Sequence, residues 1–387
     1  MKWEKVKLKE IALAIQTGPF GSQLHQSDYS KNGIPVVMPK DLLNGKISEQ
    51  SIARVSKIHV NRLKRHIISN GDILYSRRGD VGRCAYATEY ETGWLCGTGC
   101  LRVTINTIKA NSKFIFYQLQ QPSIVGWVQN HAVGSTMLNL NTAILSEIPL
   151  LLPTLCIQTK IADILSAYDE LIENNQKQIK LLEEAAQRLY KEWFVDLRFP
   201  GYEKTTIIDG VPEGWSFQKI GKVFEIKYGK TLSMNNILNK GKYPVYGANG
   251  VIGYYNQKNC DDYVVLVTSR GNGSGEVLRT HDKESFITNN SFIIKPIKNF
   301  IKVPFIYQML KTVDFKRICT GSAQPQLTNV SINLIDILVP SDEIIKRFCQ
   351  DSQFYYNKIE NLLKQNKNLT EARERLLPKL MDDELEV

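Results

Sequence analysis

Arg54, Lys57, Arg62, Lys64 and Arg65 fall within twelve residues that contain no acid. Cations so spaced can track a row of phosphates, because each neutralised phosphate releases a counterion. A second group lies in Ser76-Arg77-Arg78-Gly79-Asp80-Val81-Gly82-Arg83, where three arginines surround a glycine turn after a predicted strand. A guanidinium there suits either a phosphate or a guanine edge. Ser269-Arg270-Gly271-Asn272-Gly273-Ser274-Gly275 has the glycine content of a phosphate-binding loop. No helical pattern follows it, so it reads instead as a hairpin-like loop. Earlier loops add Gln23, in Gly18-Pro19-Phe20-Gly21-Ser22-Gln23-Leu24, and Lys230 and Thr231, in Gly229-Lys230-Thr231-Leu232. Late loops add Asn139 and Asn141, then Ser322, Gln324, Gln326 and Asn329. Amide side chains can read adenine in a major groove, and they are also common turn residues.

Catalytic patterns do not stand out. The chain has no Gly-x-x-x-x-Gly-Lys-Ser/Thr loop, no His-x-x-x-His pair, no Gly-x-Ser-x-Gly elbow and no Asn-Pro-Pro-Tyr or Asp-Pro-Pro-Tyr tetrapeptide. Its five histidines are scattered, and its seven cysteines (84, 96, 100, 156, 260, 319 and 349) form no Cys-x-x-Cys pair. Reduced, mostly buried thiols are expected, with no metal site. The longest nearly apolar stretch, Ile148 to Ile157, is broken by Pro149 and Pro153 and is too short to span a membrane. Met1-Lys2-Trp3-Glu4-Lys5 lacks a signal peptide's apolar core, so a cytoplasmic protein is expected.

The elements that position these residues come in duplicate. The 387 residues exceed one ordinary domain, and the formal charge of +10 is unevenly spread. Gly134-Ser135-Thr136-Met137-Leu138-Asn139-Leu140 returns 187 residues later as Gly321-Ser322-Ala323-Gln324-Pro325-Gln326-Leu327. The run Ile148 to Pro153 returns as Ile335 to Pro340 at the same offset, and Trp3, Leu8 and Ile11 correspond to Trp215, Ile220 and Val223 at 212. A period this long indicates two copies of a domain.

Each copy has a head of short strands separated by Gly, Asn and Pro turns, followed by a glycine-free helical stretch, 155–195 or 342–380. In the first stretch Ile161, Leu165, Tyr168, Ile172, Asn175, Ile179, Leu182, Ala186, Leu189 and Trp193 step alternately by four and three. Adding 187 gives a matching, weaker seam: Phe348, Ser352, Tyr355, Ile359, Leu362, Asn366, Leu369, Arg373, Leu376 and Leu380. Two such seams can satisfy each other as a coiled coil, with Asn175 and Asn366 as polar positions that set register. Residues 1–154 carry +8 and 201–340 carry +6, while 155–200 and 341–387 carry −2 each. Basic heads suit a polyanion; the mildly acidic helices are left for each other and for protein.

The order of these features resembles the DNA-specificity subunit of a Type I restriction-modification system, from end to end. The residues that carry the resemblance are the Gly18–Leu24 loop, Gly71-Asp72-Ile73-Leu74 and the two Gly-Ser loops leading to Pro153 and Pro340. Lys191-Glu192-Trp193-Phe194-Val195-Asp196 and Gly210-Val211-Pro212-Glu213-Gly214-Trp215 complete them. The second copy departs at Gly271–Gly275 and at Ser352 and Arg373 on its seam. The resemblance implies an α+β fold: two similar mixed α/β target recognition domains, 1–154 and 200–340, separated by an antiparallel coiled coil of helices in 155–199 and 341–387. It further implies that each head reads half of a bipartite site in double-stranded DNA. It implies two modification (methyltransferase) subunits and restriction (motor-nuclease) subunits as partners. Those partners, not this chain, would bind S-adenosylmethionine, ATP and Mg. A self-sufficient DNA-modifying enzyme and a scaffold without sequence preference stay open as alternatives.

Overall fold

In the computed structural model, residues 3–134, 138–271, 273–321 and 325–381 are described. They form two compact units: Met1–Ile172 with Asn368–Val387, and Glu173–Lys367.

The first unit is built on an antiparallel sheet in the order Ala12–Thr17, Cys100–Ile105, Ile73–Ser76, Cys84–Tyr86. Its strand Ile73–Ser76 is buried along its whole length. Alternation along that strand sends Ile73 and Tyr75 into one core, with Phe114 and Leu145, and Leu74 into another, with Val37 and Trp94. A second sheet runs Leu95–Cys96, Ile34–Val37, Ala53–Val55, Tyr29–Ser30. Glu4–Lys7 pairs antiparallel with Pro149–Leu152, tying the start of the head to its end.

The second unit repeats the plan. Phe224–Tyr228, Ser291–Pro296, Val265–Thr268 and Val277–Arg279 form the matching antiparallel sheet. Val265 and Val267 enter one core while Leu266 enters another. Ser216–Lys219 pairs with Asp336–Val339 as the first strand pairs with the last in the first unit. The loop around Gly271–Gly275 is followed by strand Val277–Arg279 and no helix, in keeping with a hairpin.

The long helices are Leu155–Tyr190 and Asp342–Met381. The first ends five residues earlier than its glycine-free stretch, in a π-helical turn at Lys191–Val195. That wider turn places Trp193 and Phe194 in an aromatic cluster with Tyr190, Phe305 and Phe348. None of the twenty seam positions is exposed.

Within the second unit Phe348 packs on Tyr190 and Trp193, and Asn366 bonds to Asn175, so the two helices run antiparallel. Within the first unit Arg373 bonds to Asp169, while Leu380 and Met381 join the core that holds Ile161, Ala162 and Leu165. Each head thus completes its core with apolar residues from both helices.

Candidate nucleic-acid interface

Two loops that lie far apart in sequence are laced together at the end of the central strand in each unit. In the first, Leu140 N donates to Arg77 O at 2.8 Å and Gly79 N donates to Leu138 O at 3.1 Å. Val133 and Asn139 exchange two backbone bonds, of 3.0 and 2.8 Å. In the second, Leu327 N donates to Ser269 O at 2.9 Å and Gly271 N to Pro325 O at 3.2 Å. Thr320 and Gln326 exchange two bonds of 2.8 Å, the same lacing 187 residues on. The predicted arginine loops and amide loops are therefore one edge in each unit. Asn272, Ser322 and Gln324 lie outside the described residues.

The early loops share a device as well. Gly18 N donates to Cys100 O at 2.9 Å, and a Cβ on Gly18 would sit 2.0 Å from Gly97 O. Gly229 N donates to Ser291 O at 3.1 Å, and a Cβ there would lie 2.3 Å from Thr288 O. Both glycines are required by close backbone approach. Lys230 and Thr231 follow on the exposed side of the second.

The candidate cations divide into free and engaged. Lys57, Lys64, Arg65, Arg78, Lys230 and Arg270 are exposed, and their side chains make no ion pair among the described residues. Arg54 donates to Gly33 O at 3.1 Å and faces Glu49 at 3.8 Å. Arg62 donates to Gln23 O at 2.8 Å and lies 3.6 Å from Asp28. The His25 backbone N–H, then nearby His59 and Arg62, hold the Asp28 carboxyl below its usual range. Arg83 makes two bonds to Asp80, of 2.8 and 3.0 Å. Gln23 turns its Oε1 to the Phe20 N–H at 3.1 Å, which shapes its own loop. Asn139 is half-buried, with its Oδ1 enclosed and without a partner among the described residues, whereas Gln326 is exposed.

Some basic residues counted in the head charge serve the interior. Arg102 lies 3.3 Å from the buried Asp72, which also takes bonds from Ser69 N and Thr104 Oγ1. Arg279 is buried against Glu360 at 2.5 Å. Sequence reasoning passed over Phe20 as a site residue, although an aromatic flanked by a proline and a glycine in a loop has no core to fill. It is 54% exposed, and the Arg77 guanidinium carbon sits 5.7 Å from its ring centroid. Among the described residues no three or more His, Cys, Asp or Glu gather as metal ligands would. Among the same residues no helix is long and apolar enough to cross a membrane.

Fold and site together define a duplicated protein: two basic α/β units, each with one laced loop edge and each sharing in two antiparallel helices. The chain belongs to the family described as Type I restriction modification DNA specificity domain, whose profile matches residues 1–184 and again 212–372. It is 25% identical to the Type I restriction enzyme MjaIX specificity subunit of Methanocaldococcus jannaschii, over all of this chain and 94% of that one. It is 23% identical to the Type I restriction enzyme HindI specificity subunit of Haemophilus influenzae, over 89% of this chain and 93% of that one. In fold it is similar to the crystal structure of a Type-I restriction-modification system S subunit from M. genitalium. That likeness has a TM-score of 0.62 at 23% identity and covers 98% of this chain and 96% of that one.

Proposed function

We propose that the chain is the non-catalytic DNA-recognition subunit of a Type I restriction-modification complex. Each unit reads one half of a bipartite duplex site, and the long helices fix the unread gap. The observation that carries this reading is the loop edge, built by the same backbone bonds at Arg77–Leu140 and at Ser269–Leu327. A chain with two such edges, each beside free cations, suits two separate stretches of one duplex. At ~1.5 Å per residue, the 36 residues of the first long helix measure about 54 Å, more than one ~34–36 Å turn of B-DNA.

The helices also offer the docking face for two methyltransferase subunits, with restriction subunits added to that core. S-adenosylmethionine, ATP and Mg belong to those partners in this reading, and the cytoplasm is the proposed compartment because duplex DNA is the proposed ligand.

The test is selection of bound duplexes from a randomised library by the full chain, alone and co-expressed with its methyltransferase partner. Two short motifs at a fixed gap are expected. Exchanging residues 1–154 for those of a relative should replace one motif only, and deleting four residues from each long helix should alter the gap alone. Methyl transfer from S-adenosylmethionine by the purified chain without a partner would overturn the non-catalytic reading.

A further inference from the structure

Arg77 differs from every other candidate cation of the first unit. Its backbone is pinned on both sides, with its N–H donating to Gly99 O at 2.8 Å and its carbonyl accepting from Leu140 N at 2.8 Å. Its guanidinium carbon lies 5.7 Å from the Phe20 ring centroid, and its Nε is buried without a partner among the described residues. No carboxylate pairs with it among the described residues, since Asp80 of its own loop is taken by Arg83 at 2.8 Å. Among the described residues Nη1 and Nη2 therefore remain as a charged fork on a braced side chain. The matching place in the second unit is held by Ser269, which is buried and accepts the equivalent bond from Leu327 N.

Tracking a phosphate needs only a charge on a long, mobile stem, which Lys57, Lys64 and Arg65 supply. Reading a base edge needs a fork already in place, because two parallel bonds to guanine O6 and N7 tolerate little displacement. Stacking on an aromatic face and a half-buried stem remove the rotamer freedom that would otherwise be lost on binding.

We propose that Arg77 reads a guanine within the half-site of the first unit, and that Phe20 is its positioning residue. The second unit reads its half without an equivalent fork. This assignment rests on the DNA-recognition function proposed above.

The experiment is duplex selection with the full chain co-expressed with its methyltransferase partner. The half-site belonging to the first unit is identified by the residue 1–154 exchange. Wild type should require a guanine at one position of that half-site. Arg77→Gln should lower that preference at least tenfold, Arg77→Lys should not restore it, and the other half-site should stay unchanged. Phe20→Leu, which removes no charge from an exposed position, should weaken the same preference several-fold at an unaltered salt dependence, and Phe20→Tyr should keep it. An Arg77→Gln chain that retains the guanine overturns the assignment, as does one that loses affinity for all sequences alike. A wild-type chain with no preference for any sequence overturns the DNA-recognition reading itself, and this assignment with it.

Discussion

Asn175 Nδ2 donates a hydrogen bond to Asn366 Oδ1 at 2.9 Å, joining the lone amides of the two helical seams. Gln365 Oε1 lies 3.4 Å from the same nitrogen. A paired amide inside an apolar seam costs stability and fixes which residues face each other. Replacing both asparagines by leucine should raise the thermal midpoint. Asn175→Leu alone should cost about 1–3 kcal/mol, because it strands the partner amide. Guanidinium unfolding of the single and double variants checks this. A single variant as stable as the double would show that the amides are not a working pair.

Arg373 interrupts the second seam in sequence, and the structure shows how it is accommodated. It bonds to Asp169, which also accepts from Tyr117 Oη at 2.6 Å. Burial, and then the bond to Asp169, push the Tyr117 phenol upward, so it stays a proton donor. Asp169→Ala should leave the buried Tyr117 hydroxyl and the half-buried Arg373 unmatched and cost about 2 kcal/mol, discounted for the partial exposure of Arg373. Asp169→Asn should cost less, since its amide oxygen still accepts. Urea unfolding separates the two, and equal losses would assign Asp169 to packing alone.

The division of the cations predicts an unequal salt response. Lys57→Ala, Lys64→Ala and Arg65→Ala should each flatten the slope of log affinity against log salt by about 0.9, with sequence preference unchanged. Arg83→Ala should flatten it less, because Asp80 already neutralises that charge. Titrations of a fixed duplex at several salt concentrations give the slopes. If Arg83→Ala matches Lys64→Ala, the Asp80 pair does not persist on DNA.

Burial pushes the thiols of Cys84 and Cys96 up to about 12, and Cys100 is raised by the same cause. Cys156 is exposed on the first long helix. Iodoacetamide at pH 8 should therefore label Cys156 first, and label the three buried thiols only as denaturant opens the first unit. Peptide mass analysis of a labelling time course reads this directly, and early labelling of Cys96 would contradict the packed core described for it.

Much of this architecture was legible in the sequence. The 187-residue offset survives because Val133 and Asn139, like Thr320 and Gln326, exchange backbone bonds, which constrain spacing more than residue type. The seams were legible because position on a helix follows arithmetically from residue number. Side-chain pairing was not. Tyr117 bonds Asp169 in one unit, whereas in the other Tyr356, 187 residues after Asp169, accepts from Gln308 Nε2 at 3.1 Å. Arg62 meets Gln23 and Asp28 across more than thirty residues. Arg77 meets Phe20 across more than fifty residues, so only the folded chain shows which cations remain free.

The central claim is that one chain reads two separated half-sites. Genome-wide mapping of methylated bases in cells that carry this chain and the proposed methyltransferase partner tests it most directly. Two short specific sequences at one fixed gap are predicted, with their methylation lost when the gene for this chain is deleted. A single uninterrupted motif that depends on this chain, or an unchanged methylation pattern after its deletion, would contradict the account.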